Sequence, residues 1–243
     1  MDRNNYNIKQ LFLLLLVFAF AMGVLEAVVV VYLRELYYPG GFAFPLKVMH
    51  GRLVTAELAR ELSTLVMILS VSWLTGKTLL KRLNSFLFVF GVWDIVYYLA
   101  LKLFLDWPES LLTPDLLFLI PVVWVGPVIA PVICSIFMIF MALSFEWLSF
   151  KGRLVTIKLI ELTLFFAGAF LIYISFTYDF TMIIMKGNFF RDILNLTENR
   201  DFINIMTGYV PDKFYWGLFT AGILAIAGGC MMVYRRAGKS ILN

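Results

Sequence analysis

In the stretch Ala56-Glu57-Leu58-Ala59-Arg60-Glu61, two carboxylates stand four residues apart with a guanidinium between them. At helical pitch Glu57 and Glu61 share one face. That spacing can hold a hard cation, carry a proton, or simply pair with Arg60. Two further acids interrupt runs that are otherwise lipid-soluble, Glu26 in "MGVLEAVVVVYLREL" and Asp94 in "FGVWDIVYYLALKLF". A carboxylate at bilayer depth costs at least ~2.5 to 3.5 kcal/mol on insertion scales, so it normally has a partner or a task. Along helices rising 1.5 Å per residue, Glu26 lies roughly 22 to 25 Å outward from Lys9, and Glu61 roughly 24 Å outward from Lys77. Asp94 lies roughly 18 Å outward from Arg82 on the same scale. The acids should therefore share a level in the outer half of a membrane. Tyr97 and Tyr98 come one turn beyond Asp94, and Arg34 and Lys102 sit about two turns above Glu26 and Asp94. The site this predicts is a polar cavity open to the outer face, lined by Glu26, Glu57, Arg60, Glu61, Asp94, Tyr97 and Tyr98. The plainer expectation from the same residues is a set of ion pairs that only fixes helix packing.

Several chemistries are open to such a cluster. Glu57, Glu61, Glu26 and Asp94 form a candidate ligand set for a divalent cation, joined by His50, the sole histidine, which precedes Glu57 by about two turns. No haem, nucleotide or flavin signature accompanies it, and no other cofactor is indicated. Nucleophilic catalysis has little support, because Gly-x-Ser-x-Gly and His-Glu-x-x-His are both missing. Cys134 and Cys230 fall in apolar segments and read as packing residues rather than a redox pair. An enzyme would have to work with Glu and Asp beside Arg and Tyr, on a lipid or phosphorylated substrate.

The elements that must position these residues follow from composition. Of 243 residues, 62% are hydrophobic and only 15% charged, with a mean hydropathy of +0.89. Soluble domains carry nearer 25% charge, so the chain is expected to be an all-α, polytopic integral membrane protein, one transmembrane domain over residues 1–243. Runs of about 20 apolar residues place six transmembrane helices at 10–33, 56–75, 85–105, 116–143, 154–177 and 214–234. The first is too long for a signal segment, and no small-residue cleavage site follows it. Basic residues gather in alternate connections: Arg3 and Lys9, Lys77 to Arg82, Lys151 to Lys158, and Arg235 to Lys239. By the positive-inside rule both termini are then cytoplasmic. The acids Asp106, Glu109, Asp115, Asp179, Asp192, Glu198, Asp201 and Asp212 lie on the other side. The net charge of +4 is accounted for by this anchoring, and no nucleic acid is expected as a partner.

Three features go beyond simple spans. "MGVLEAVVVVYLREL" aligns with "FGVWDIVYYLALKLF", Gly23 over Gly91 and Glu26 over Asp94, which suggests a parallel repeat of helices 1–2 and 3–4. In "FLIPVVWVGPVIAP", Pro121, Pro127 and Pro131 break the fourth span near the carboxylate level, so that helix, with Trp124, is expected to form one cavity wall. The outer loop 178–213 mixes aromatic and charged residues, as in Asn188 to Leu194, and is expected to carry an amphipathic helix.

"WDIVYY", "DWPESLLTPDLLFLIP" and "WVGPVIAP" together resemble stretches of uncharacterised bacterial multi-pass membrane proteins, best over the third and fourth spans. That resemblance implies a bacterial inner-membrane setting and carries over no activity. The leading functional expectation is cation- or proton-coupled binding and transport, with the acidic site toward the extracytoplasmic side. The alternatives are a membrane-embedded enzyme and a subunit or assembly factor of a larger complex. Partners besides the lipid bilayer would be a second copy or other membrane subunits, met through loop 178–213.

Overall fold

A computed structural model describes residues 8–47, 49, 51–189 and 199–237. Seven helices and one small hairpin make up the described chain: α1 (Ile8–Tyr37), α2 (Gly51–Leu74), α3 (Leu79–Leu105), β1 (Pro114–Phe118), β2 (Trp124–Pro127), α4 (Ile129–Phe150), α5 (Leu159–Lys186), α6 (Arg200–Gly208) and α7 (Trp216–Ala237). Five of the helices, α1, α3, α4, α5 and α7, are long and apolar enough to cross a membrane. Their outward faces carry the apolar side chains a lipid surface requires, such as Leu13, Leu14, Val17 and Phe20 on α1 and Leu159, Phe166 and Phe170 on α5. Helix α2 is of similar length but carries Arg52, Glu57, Arg60 and Glu61.

The most enclosed element is α3. Thr78 caps its start by accepting the Lys81 amide, and Asp106 ends it in the left-handed conformation at φ 52°. Helices α1, α2 and α4 pack on it. Close approach is bought by glycine: a Cβ on Gly23 would stand 2.7 Å from the Trp93 carbonyl, and one on Gly91 would stand 2.7 Å from the Ser135 carbonyl. The two residues aligned in the internal echo thus serve successive contacts, α1 on α3 and α3 on α4. A second pair, α5 with α7, meets at Gly168 and Gly222, each facing the other's carbonyl oxygen. Arg236 of α7 forms an ion pair with buried Glu161 of α5, through Nη2 at 2.6 Å from Oε2.

The expected fourth span, 116–143, is not one helix. Its first part is the antiparallel hairpin β1–β2, with Pro114 opposite Pro127, Asp115 opposite Gly126, and a bulge between Leu116 and Phe118. The helix starts only at Ile129. Prolines explain this, since each lacks an N–H and clashes inside a helix. Here Pro114 and Pro127 end the ladder, and Pro121 lies between the strands. Pro131 falls in the first turn of α4, where an amide has no helical partner to lose. The first amides beyond the hairpin are satisfied within the protein: Val128 donates to the Thr113 carbonyl at 3.1 Å and Ile129 to that of Leu111 at 2.8 Å.

The stretch 178–213 is not a loop throughout. Helix α5 runs on to Lys186, and the short helix is α6, whose N-cap Asn199 accepts from the amides of Asp201 and Phe202. Most of the stretch Asn188 to Leu194, and His50, lie outside the described residues.

Candidate functional site

Three helices and the first strand converge on one cavity of about 280 Å³. From α1 come Glu26 and, two turns on, Arg34; from α2 the face Glu57, Arg60 and Glu61; from α3 Asp94, Tyr97 and Tyr98. Each set recurs at three- or four-residue multiples, so each occupies a single helical stripe. Strand β1 contributes Asp115 to Phe118, and α6 covers the mouth with Phe202, Ile203, Met206 and Thr207.

The polar groups sort into three knots. In the first, Arg60 bridges helices: its Nε donates to Glu57 Oε2 at 2.8 Å, and its Nη1 forms an ion pair with Glu26. Thr64 Oγ1 donates to the other oxygen of Glu26 at 3.0 Å. In the second, Glu61 accepts the Leu119 backbone N–H with both oxygens, at 3.0 and 2.9 Å, and so pins the end of β1 to α2. In the third, Arg34 Nη2 donates to Asp115 Oδ1 at 3.0 Å, while Tyr98 donates to Asp115 Oδ2 at 3.2 Å. The Arg34 guanidinium is covered by aromatic faces, 3.7 Å from the centre of Trp107 and 4.5 Å from that of Phe42. Its Nη1 is buried with no acceptor among the described residues. Asp94 stands between the knots, 6% exposed, and among the described residues accepts from Ser135 Oγ alone, at 2.7 Å.

All seven residues proposed from sequence for the cavity line it: Glu26, Glu57, Arg60, Glu61, Asp94, Tyr97 and Tyr98. Lys102 does not join them. It pairs with Asp106 at 2.7 Å on the exposed rim, where the Lys102 hydrogen bond and charge hold the Asp106 carboxyl below its ordinary range. Trp124 also turns elsewhere, packing on Phe118, Tyr173 and Phe176. Among the described residues, no group of three or more His, Cys, Asp or Glu side chains converges as a metal site. Glu57, Glu61, Glu26 and Asp94 each point at a donor within the protein. Cys134 and Cys230 are partly buried free thiols.

Sequence reasoning missed Asp115, which it counted among the acids of the outer loops. The structure buries it completely. The only local hint was its setting between Pro114 and an apolar run, "PDLLFLIP". Thr64 was legible in principle, seven residues after Glu57 and so on the same stripe.

No protein-family model matches the chain, and no curated protein or solved structure matches it either. Function therefore rests on the geometry.

Proposed function

We propose that this protein is a six-span membrane protein, with α2 as the sixth span, that binds and moves a small cation in exchange for or together with protons. The charge balance of the cavity supports this reading more than any other observation. Glu26, Glu57, Glu61, Asp94 and Asp115 line it, against Arg34, Arg60 and Lys47. Among the described residues, five acids against three bases leave two negative charges without a counter-charge. An uncompensated carboxylate in a low-dielectric site is costly, so the surplus is met by bound protons or by a cation. A cavity that exchanges one for the other is the elementary unit of coupled transport.

The rest of the reading follows. Basic connections hold both termini in the cytoplasm of a bacterial inner membrane, and the cavity mouth under α6 faces outward. The two hairpins α1–α2 and α3–α4 stand as parallel repeats that each contribute an acid, and a chain of this size acts as an oligomer. The ligand is a monovalent or organic cation rather than a tightly coordinated metal, because each acid already accepts from a protein donor.

Charge displacement on a solid-supported membrane tests the proposal. Proteoliposomes would be challenged with a pH jump and with jumps of sodium, potassium and methylammonium. The expected result is a transient above that of protein-free liposomes, abolished in Glu61→Gln and Glu57→Gln. A wild-type response equal to protein-free liposomes for every jump would overturn it.

A further inference from the structure

A second cavity, of about 230 Å³, lies between the outer part of α5, strand β2 and the segment that leads into α7. We infer that it is a binding site for a small alkylammonium group, separate from the cavity of the proposed transport function.

Its wall is aromatic and its base is a carboxylate: Phe176, Asp179, Tyr209, Phe214, Tyr215 and Trp216 line it. Phe176 and Phe214 have ring centres 5.3 Å apart, and Phe214 and Trp216 4.9 Å. Tyr209 donates to one oxygen of Asp179 at 2.9 Å and Tyr215 to the other at 2.8 Å. These two bonds orient the carboxylate and fix both phenol rings beside it. Aromatic faces draw an ammonium through their quadrupoles, and aromatic cages are how quaternary ammonium groups are recognised.

The hydrogen bonds also select the class of ligand. Each oxygen of Asp179 accepts one phenol proton, which leaves it one further lone-pair direction and its charge. A hard metal ion needs about six or more oxygen ligands, which a largely aromatic wall does not supply, whereas an alkylammonium needs a negative field and apolar contact. Asp212 lines the same cavity, and Lys213 is the one opposing base in its wall. The Lys213 ammonium stands 5.6 Å from the centre of the Tyr215 ring, so the chain's own cation already sits at the rim of the cage. The volume falls below the ~300 Å³ at which drug-sized pockets begin, which limits the occupant to a small head. Such a head belongs either to a free solute or to an ethanolamine or choline lipid.

Equilibrium dialysis of radiolabelled choline against the full-length protein in maltoside tests the site. Saturable binding is expected in the wild type, at least tenfold weaker in Asp179→Asn and several-fold tighter in Lys213→Gln, which removes the competing cation. Glu61→Gln, in the other cavity, should bind choline as the wild type does, so failure of the transport reading leaves this result intact. Lys213 is exposed, so Lys213→Gln keeps the test valid if Asp179→Asn does not fold. A second arm adds phosphatidylethanolamine or phosphatidylglycerol to the same assay. Competition by the former alone assigns the site to a lipid head, and competition by neither assigns it to a free solute; both support the site. Absence of saturable choline binding in the lipid-free protein, or affinity indifferent to both variants, would overturn the inference.

Discussion

Asp115→Asn isolates the charge of the most enclosed knot. Asp115 is fully buried, and the Arg34 side chain is only 8% exposed, so water screens their interaction little. Asparagine keeps the shape of the side chain and one oxygen, which goes on accepting from the Leu116 amide, now at 2.9 Å. Its NH2 takes the place of the oxygen that accepts from Tyr98 and can donate to the phenol oxygen instead. What it removes is the counter-charge of Arg34, whose remaining neighbours are the Trp107 and Phe42 rings. Orphaning one member of a buried pair costs about 3 to 5 kcal/mol. At about 2 to 4 °C per kcal/mol for a chain of this length, the melting temperature should fall by about 6 to 20 °C. Adding Arg34→Met removes the orphaned cation and fills much of its volume. The double variant should therefore recover most of the loss. Thermal unfolding of detergent-purified protein, followed by tryptophan fluorescence, reads both effects. A double variant as unstable as Asp115→Asn, or a single variant within about 2 °C of wild type, would refute a net stabilising role for the pair.

Two further predictions concern single anchors. Glu61→Gln retains an oxygen for the Leu119 amide and should lower stability by less than about 1 kcal/mol, whereas Glu61→Ala strands that amide and should cost about 1 to 3 kcal/mol; equal unfolding midpoints would mean that Glu61 does not hold the hairpin. Burial, then Asp179, raises the phenols of Tyr209 and Tyr215 above the ordinary tyrosine range. Because their folded-state pKa values are raised, their contribution to stability is complete below the unfolded value of ~10 and is lost as pH climbs beyond it. Ultraviolet titration should show two late-ionising tyrosines that move earlier in Asp179→Asn, and a profile unchanged by that substitution would contradict the assignment.

Hydropathy and pitch read most of the architecture correctly because both are local. Five lipid-soluble helices declare themselves by length and composition. Within a helix the rise per residue is constant, so counting from basic anchors brought Glu26, Glu61 and Asp94 to one level before any contact was known. Periodicity failed where the chain is apolar without being helical. "FLIPVVWVGPVIAP" satisfies a hydropathy window whether it is a kinked helix or a paired hairpin, and what separates the two is non-local: the ladder itself and the contacts of Asp115 with Arg34 and of Leu119 with Glu61. The partner of Lys102 could not be read from register alone, because its long stem reaches along the helix to Asp106. The second cavity draws on α5, β2 and the approach to α7. No single stretch of sequence carries its pattern.

The same hairpin separates the two cavities, and this gives it a mechanical role that one residue can test. Strand β1 lines the main cavity through Asp115 to Phe118, and strand β2 lines the second through Val125 to Pro127. Asp115 and Gly126 face each other across the ladder. A Cβ on Gly126 would stand 2.7 Å from Phe176 Cδ1 and 3.0 Å from Phe214 Cε2, both parts of packed rings. Gly126→Ala must therefore push β2 away from α5, at an overpacking cost of about 1 to 3 kcal/mol. Because its partner in the ladder is Asp115, the displacement arrives at the carboxylate that holds Arg34. The energies of Gly126→Ala and Asp115→Asn should then fail to add by more than about 0.5 kcal/mol in a double-mutant cycle of thermal unfolding. Additivity within that margin would show that β2 absorbs the strain itself. The hairpin would then be a partition between two independent cavities rather than a link between them.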